Sequence, residues 1–273
     1  MRSLNRRQRA LLLLLLTLAV LLAVTLAGAL LTQRAMETDF SRMNRSPSLT
    51  FLFGTDWMGR DMLARTLAGL SLSIRIGVLT ALVSAVIALL CGVAAALSRR
   101  ADAVLSWCID LFLGIPHILL VMLISLAFGR GFLGVVAGVS LSHWPSLARV
   151  IRSEVLSLRH APYLLSAEKL GVPRGQIVRR HLLPHLLPQF LTGLILQFPH
   201  AILHEASVTF LGFGLSSEQP AIGVILSESM QYLTTGRWWL ALFPGLALVG
   251  VVLLFAALGE QVRRVLDPSS VHQ

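Results

Sequence analysis

The sequence predicts an all-α polytopic membrane protein with six transmembrane helices and a helix-turn-helix exposed on the cytoplasmic side. Three observations carry that expectation. Of the 273 residues, 55% are hydrophobic and only 13% charged, with a mean hydropathy of +0.77. A soluble domain usually carries about a quarter charged residues, too many for this chain to match, so a bilayer is the simpler solvent. Apolar runs long enough to cross a hydrocarbon core of about 30 Å recur along the chain. Short clusters of arginine lie beside those runs rather than along one soluble face. That placement argues against nucleic acid as the partner for the net charge of +10. Cys91 and Cys108 both fall inside apolar stretches and read as small buried hydrophobes, not as a disulfide or a metal pair.

The first run, Ala10 to Leu31, follows Arg2, Arg6, Arg7 and Arg9. A cleaved signal peptide shares the basic start, but its apolar region is only about 7–15 residues, so this run reads as a retained first helix. Residues 1–31 are thus a short cytoplasmic tail and one span. Residues 32–70 form the longest polar interval and hold Pro47, Gly54, Gly59 and Gly69, as an extracytoplasmic loop with local helix near its end would. Residues 71–260 carry the remaining spans, at about Ser71–Leu97, Ala103–Phe128, Phe132–Ala148, Phe190–Gly212 and Trp239–Leu258. Pro116 interrupts the third span, and the fourth is expected to end near Pro145. Proline is tolerated in spans where neighbours re-satisfy the freed carbonyls. Residues 261–273 are a cytoplasmic tail. Trp144, Trp238 and Trp239 fall at predicted span ends, where indole rings favour the interface.

Orientation follows from the basic residues. Of the 23 Lys and Arg residues, fifteen fall on the predicted inside and eight outside, which places both termini in the cytoplasm. No internal repeat marks an inverted-repeat carrier. The sequence holds no glycine-rich Gly-Lys-Ser/Thr loop that would cradle ATP phosphates, so energy from ATP has to arrive through a partner.

The inner segment at about 154–188 is the most informative. Tyr163 to Leu170 reads as a short helix, which Gly171 ends by adopting positive φ, and Pro173 opens the next stretch. Ile177, Val178, Leu182 and Leu183 then recur at helical spacing among Arg179, Arg180 and His181. One reading is a solvated basic loop that only sets orientation. The other is a docking element, because a loop without a partner would not usually offer Leu164, Leu165, Leu170, Ile177 and Leu183 to water.

This segment resembles the coupling loop of ABC importer permeases, whose pattern is Glu-Ala-Ala, three residues, Gly, then Ile and Leu-Pro. Gly171, Ile177, Leu183 and Pro184 fall in register. Leu165, Ser166 and Ala167 occupy the Glu-Ala-Ala positions, so only the last matches and the carboxylate is missing. Gly54-Thr55-Asp56-Trp57-Met58-Gly59-Arg60-Asp61 resembles a signature of the dipeptide, oligopeptide and nickel branch. Glu205 through Gly214 resembles that branch's fifth-span ending, and Leu258-Gly259-Glu260 through Asp267-Pro268 its C-terminus. Ser140-Leu-Ser-His-Trp144 is similar to the nickel and opine-metallophore members. The likeness runs from about Phe53 to Pro268. It implies a type I-like permease subunit in the bacterial inner membrane, working with a second homologous permease, two ATP-binding subunits and an extracytoplasmic solute-binding protein. The implied activity is import of peptides, nickel or metal chelates. No cofactor and no catalytic residue is expected on this chain. The coupling positions would move with ATPase closure, which has to favour one pore state by a few kcal/mol.

Asp110 and Glu205 are acidic groups in or near spans, where ionisable residues are costly. Each reads either as a pathway group or as a helix-helix tether. His117, His143, His200 and His204 lie in or beside spans, with His200 and His204 at i, i+4 on one helix face. These two are candidates for the translocation path, although a pair lacking a third ligand is not assigned as a metal site. His181 and His185 share the spacing but belong to the docking segment. Asp56, Arg60 and Asp61 read as local ion pairing that orders the outer loop, with direct contact to the binding protein as the alternative. The competing function is a secondary transporter driven by an ion gradient.

Overall fold

A computed structural model of the protein describes residues 6–158 and 161–266. Arg2, Arg159, the Asp267-Pro268 end and the tail beyond residue 266 lie outside the described residues. Among the described residues there is no strand, only an isolated antiparallel bridge between Thr55 and Asp61. Helix α1 (Arg6–Leu30) continues almost directly into α2 (Thr32–Met36). A loop with one 3-10 turn at Phe40–Arg42 then leads to α3 (Met62–Leu97).

Helix α3 is 36 residues long and begins nine residues before the span expected at Ser71. The Asp61 carboxylate explains the early start, because it accepts the Leu63 and Ala64 N–H groups and so caps the helix. Its buried face is built from small residues, among them Ala64, Ala68, Ala81, Ala85, Ala88, Ser71, Ser73, Thr80 and Ser84. Small side chains let backbones approach, which drives helix association where the surrounding solvent is itself apolar. Helix α3 accordingly packs along α1 and along two helices introduced next, α6 and α9.

Helices α4 (Arg99–Gly114) and α5 (His117–Ala127) replace the single span expected over Ala103–Phe128. They meet at an angle of 103°. Pro116 forces this bend: Ile115 before it takes an extended conformation (φ −90°, ψ 135°), as pre-proline sterics demand. Helix α6 (Gly131–Leu158) runs through Pro145 rather than ending there. Leu147, Ala148, Ile151, Val155 and Leu158 continue its buried face at helical spacing, so packing outweighs the lost hydrogen bond. Gly134 and Gly138, one turn apart on α6, bring it against α5. A Cβ at Gly134 would lie 2.6 Å from the Ser125 carbonyl oxygen, and one at Gly138 2.7 Å from that of Val121.

Helices α7 (Pro162–Lys169) and α8 (Arg174–Ile177) form the hairpin, which passes through a π turn at Val178–Leu182 into α9 (Leu183–Phe210). The fifth expected span therefore begins inside the hairpin instead of at Phe190. Pro184 lacks the N–H that would reach Arg180. The widened turn absorbs it, with the Leu183 N–H donating to the Val178 carbonyl five residues back. Helix α10 (Ile222–Leu233) was not foreseen, although Ile222, Val224 and Ile225 are buried. Helix α11 (Trp239–Leu266) closes the bundle against α1, α9 and α10. Pro244 deprives the Leu240 carbonyl of its helical donor, and the Ser229 hydroxyl stands 2.8 Å from that oxygen.

Among the described residues, four helical runs can cross a membrane by length and composition: Gln8–Leu30, Met62–Ala95, Gly175–Phe210 and Trp239–Leu266. The bent α4–α5 pair raises the number to five. Exposed leucines on α1, such as Leu12, Leu16 and Leu26, present the apolar surface that lipid would cover.

Candidate functional site

Four places bring chemistry-bearing side chains together. The first orders the segment before α3. Asp56 Oδ1 accepts the Met58 and Arg60 N–H groups, while Oδ2 accepts Arg60 Nε at 2.7 Å and an Arg65 guanidinium NH at 2.6 Å. Both arginines also reach Glu228 Oε2 on α10, at 3.2 Å from Arg60 and 3.1 Å from Arg65. Asp61 caps α3 with one oxygen and pairs with Arg34 at 2.9 Å through the other. The Thr55 hydroxyl donates to the Arg42 carbonyl and accepts the Arg45 N–H. Gly59 has φ +75°, and a Cβ there would lie 1.9 Å from the Asp39 carbonyl oxygen. Upstream, the Ser41 hydroxyl and N–H groups hold the Asp39 carboxyl below its ordinary range. The Gly-Thr-Asp-x-x-Gly-Arg-Asp stretch is thus an ordering motif. The expected pairing of Asp56 with Arg60 is present; Arg65 and Glu228 were missed because only the tertiary fold brings α10 to α3.

The second place is a cavity of about 450 Å³ between α5, α6 and α9. Its lining includes His117, His143, Gln197, His200 and His204. Of the four path candidates, His200 and His204 line it, and Asp110 and Glu205 do not. Their i, i+4 relationship does not bring the two rings together as a pair; instead His204 Nδ1 contacts the His200 carbonyl oxygen at 2.7 Å. Its ring meets His117 and His143, with centroids 4.4 Å and 5.0 Å away. This three-helix convergence depends on the Pro116 bend, which places His117 at the start of α5.

The third place is the hairpin. Gly171 has φ +79°, and the Val172 N–H reaches back to the Ala167 carbonyl, which is the long bond of a Schellman cap. Leu164 and Ile177 are only 4% and 8% exposed and join Ile151, Val155 and Leu182 in the protein's own core. Ile177, one of the expected coupling residues, therefore supports the hairpin from beneath. Leu165 (44%), Leu170 (82%) and Leu183 (37%) remain outward, with Tyr163 and Leu187. Ser166, Gly171 and Pro184 are also exposed, and Ala167 is half-buried.

The fourth place is a pair of ionic clamps between α4 and α6. Asp102 binds Arg152 through both carboxylate oxygens, and Asp110 accepts from Arg149 at 2.6 Å. Asp110 is exposed at the surface of the chain, whereas Glu205 on α9 is fully buried and lies outside the histidine cavity lining. Glu205 accepts the Thr209 hydroxyl at 3.1 Å, and that hydroxyl oxygen accepts the Leu215 N–H at 3.2 Å. Asp110 thus links α4 to α6, whereas the Thr209 hydroxyl that Glu205 accepts belongs to α9 itself.

Residues 84–271 match the family described as binding-protein-dependent transport system inner membrane component. A Brucella suis biovar 1 protein, provisionally named a peptide transport system permease protein, is 36% identical over 267 residues, covering 98% of this chain and 90% of its own length. The dipeptide transport system permease protein DppC of Alkalihalophilus pseudofirmus is 32% identical over 94% of this chain and 84% of its own. DppC of Bacillus subtilis is 28% identical over 92% and 79% respectively.

Proposed function

The chain belongs to the family of binding-protein-dependent transport system inner membrane components, in the dipeptide and oligopeptide branch of ABC importer permeases, and on that premise we propose that it forms half of a translocation pore driven by ATPases on separate chains. The proposed cargo is a short peptide, in keeping with the relatives' names; nickel and metal-opine chelates are the other classes considered. In this reading the bundle spans the membrane six times, with α4–α5 and α6 as its third and fourth spans and both termini in the cytoplasm. A second homologous permease completes the pore, and an extracytoplasmic binding protein delivers the solute.

One observation carries the reading. The hairpin buries Leu164 and Ile177 against its own bundle while leaving Leu165, Leu170 and Leu183 outward. An element fastened on one side and apolar on the other is built to receive a partner's groove and to pass its movement on. Leu165, Ser166, Ala167, Gly171, Leu183 and Pro184 form the ATPase-coupling surface, with Ile177 anchoring it. His200 and His204 face the path, and Asp110 and Glu205 brace it.

Reconstitution in vesicles tests the proposal. The complete complex should accumulate dipeptide only with ATP, and this chain alone should accumulate none under a proton or sodium gradient. Uptake by the chain alone would instead establish an ion-driven carrier.

A further inference from the structure

The histidine cavity contains an arrangement that peptide passage does not call for. One ring nitrogen from each of His117, His143 and His204 lies within 4.8 Å of the others. The three rings stand nearly perpendicular to one another, with interplanar angles of 84–89°. His143 Nδ1 contacts the Val139 carbonyl oxygen at 2.8 Å, as His204 Nδ1 does that of His200 at 2.7 Å. Since a carbonyl can only accept, both Nδ1 atoms carry the proton and both Nε2 atoms keep a free lone pair. The Nε2 atoms of His143 and His117 are buried without a hydrogen-bond partner. A ring nitrogen buried without a partner is costly in an apolar surrounding, whether it carries a proton or a lone pair. A backbone carbonyl that fixes the tautomer while leaving the other nitrogen free is the usual support of a metal-ligating histidine.

We propose that His117, His143 and His204 form a three-nitrogen site for a divalent late first-row transition-metal ion, with its remaining coordination position open to the cavity. Metal–nitrogen bonds of about 2.0–2.1 Å in tetrahedral array put the nitrogens roughly 3.3 Å apart, so each has to move inward by no more than about 0.8 Å, within the reach of side-chain rotation. Imidazole suits zinc, copper and nickel alike, so the ligand set selects a class and not one element. Among the described residues no carboxylate lines the cavity. The fourth position is then open to water or hydroxide, or to a carboxylate of an amino-acid or peptide chelate that arrives with the ion. A bound ion would tie α5, α6 and α9 together at the Pro116 bend. The proposal goes beyond the transport reading and does not depend on it.

The test uses the full-length chain in detergent, without a histidine tag. Titration with Co²⁺ should give one equivalent bound, with the intense visible bands of a four-coordinate nitrogen site. X-ray absorption of the Ni²⁺-loaded wild-type chain should show three imidazoles, a readout that depends on no variant. His117→Gln, His143→Gln and His204→Gln should each weaken binding by more than about 100-fold, beyond the 10–100-fold typical of losing an outer-shell partner. His181→Gln, on the hairpin, should leave it unchanged. Titrating Ni²⁺ alone and Ni²⁺ premixed with one equivalent of free histidine distinguishes the bare ion from a chelate, and binding in either arm supports the site. Absence of binding in both arms would overturn the proposal, as would binding undiminished in all three variants or fewer than three imidazoles in the absorption spectrum. Dipeptide uptake by the complete complex, measured separately in metal-free buffer, tests the transport reading on its own.

Discussion

Arg65 and Glu228, 163 residues apart in the chain, meet through two guanidinium nitrogens at 3.1 Å from one carboxylate oxygen. Arg65 is 2% exposed at its side chain and also holds Asp56. This cluster ties α10 to the first turn of α3 and to the loop that precedes it.

Asp56→Asn should therefore be among the most damaging single changes outside the helix interfaces. It removes the charge that two buried arginines share, and breaking a buried pair costs about 3–5 kcal/mol. Glu228→Gln should cost less, because that side chain is 24% exposed and water can replace part of the loss. Thermal denaturation of the purified chain in detergent checks the order: wild type highest, then Glu228→Gln, then Asp56→Asn. An Asp56→Asn midpoint equal to wild type would remove the cluster's structural role.

The α5–α6 contact gives a second expectation. Gly138→Val would press a side chain into the Val121 carbonyl, where even a Cβ lies at 2.7 Å, and overpacking of this kind costs about 1–3 kcal/mol. Gly250→Ala on α11 meets nothing within 4 Å and should be neutral or stabilising by up to about 1 kcal/mol. The two midpoints, measured side by side, should move in opposite directions or differ by several degrees. Equal midpoints would mean that close approach at Gly138 contributes nothing.

Much of this organisation was legible in the sequence, and the rest was hidden for identifiable reasons. Hydropathy and arginine placement found the apolar segments, and the turn at Gly171 was visible because a glycine followed by proline between two apolar helical stretches has few other uses. The Gly-Thr-Asp-x-x-Gly-Arg-Asp stretch showed its local pairing of Asp56 with Arg60. Pro116 was recognised as an interruption, but a 103° bend depends on what α4 and α5 pack against. Helix α10 escaped notice because its 12 residues are too short for a span and no span requirement pointed to them. The histidine cluster was partly visible: His204 stood out by its spacing from His200, whereas its actual ring partners, His117 and His143, come from other helices. Ile177 and Leu183 looked equivalent along the chain, and only the burial of Ile177 in the core with Ile151, Val155 and Leu182 separates the inward residue from the outward one.

Asp110 offers a third test. Its partner Arg149 is 53% exposed and Asp110 itself 72%, so the pair lies at the surface of the chain, where an ion pair that water reaches is worth less than about 1 kcal/mol. Asp110→Asn should keep dipeptide uptake by the complete complex within about twofold of wild type. Abolished uptake at normal assembly would return Asp110 to the translocation path.

The hairpin is where the transport reading stands or falls, and the double variant Gly171→Pro, Leu183→Asp addresses it most directly. Proline cannot adopt the φ of +79° found at Gly171, and the aspartate puts a charge on the outward apolar face. In vesicles containing the complete complex, ATP hydrolysis and dipeptide uptake should be measured together at matched expression. The expected result is continued hydrolysis with uptake reduced at least tenfold. Full uptake by the double variant would contradict coupling through this hairpin.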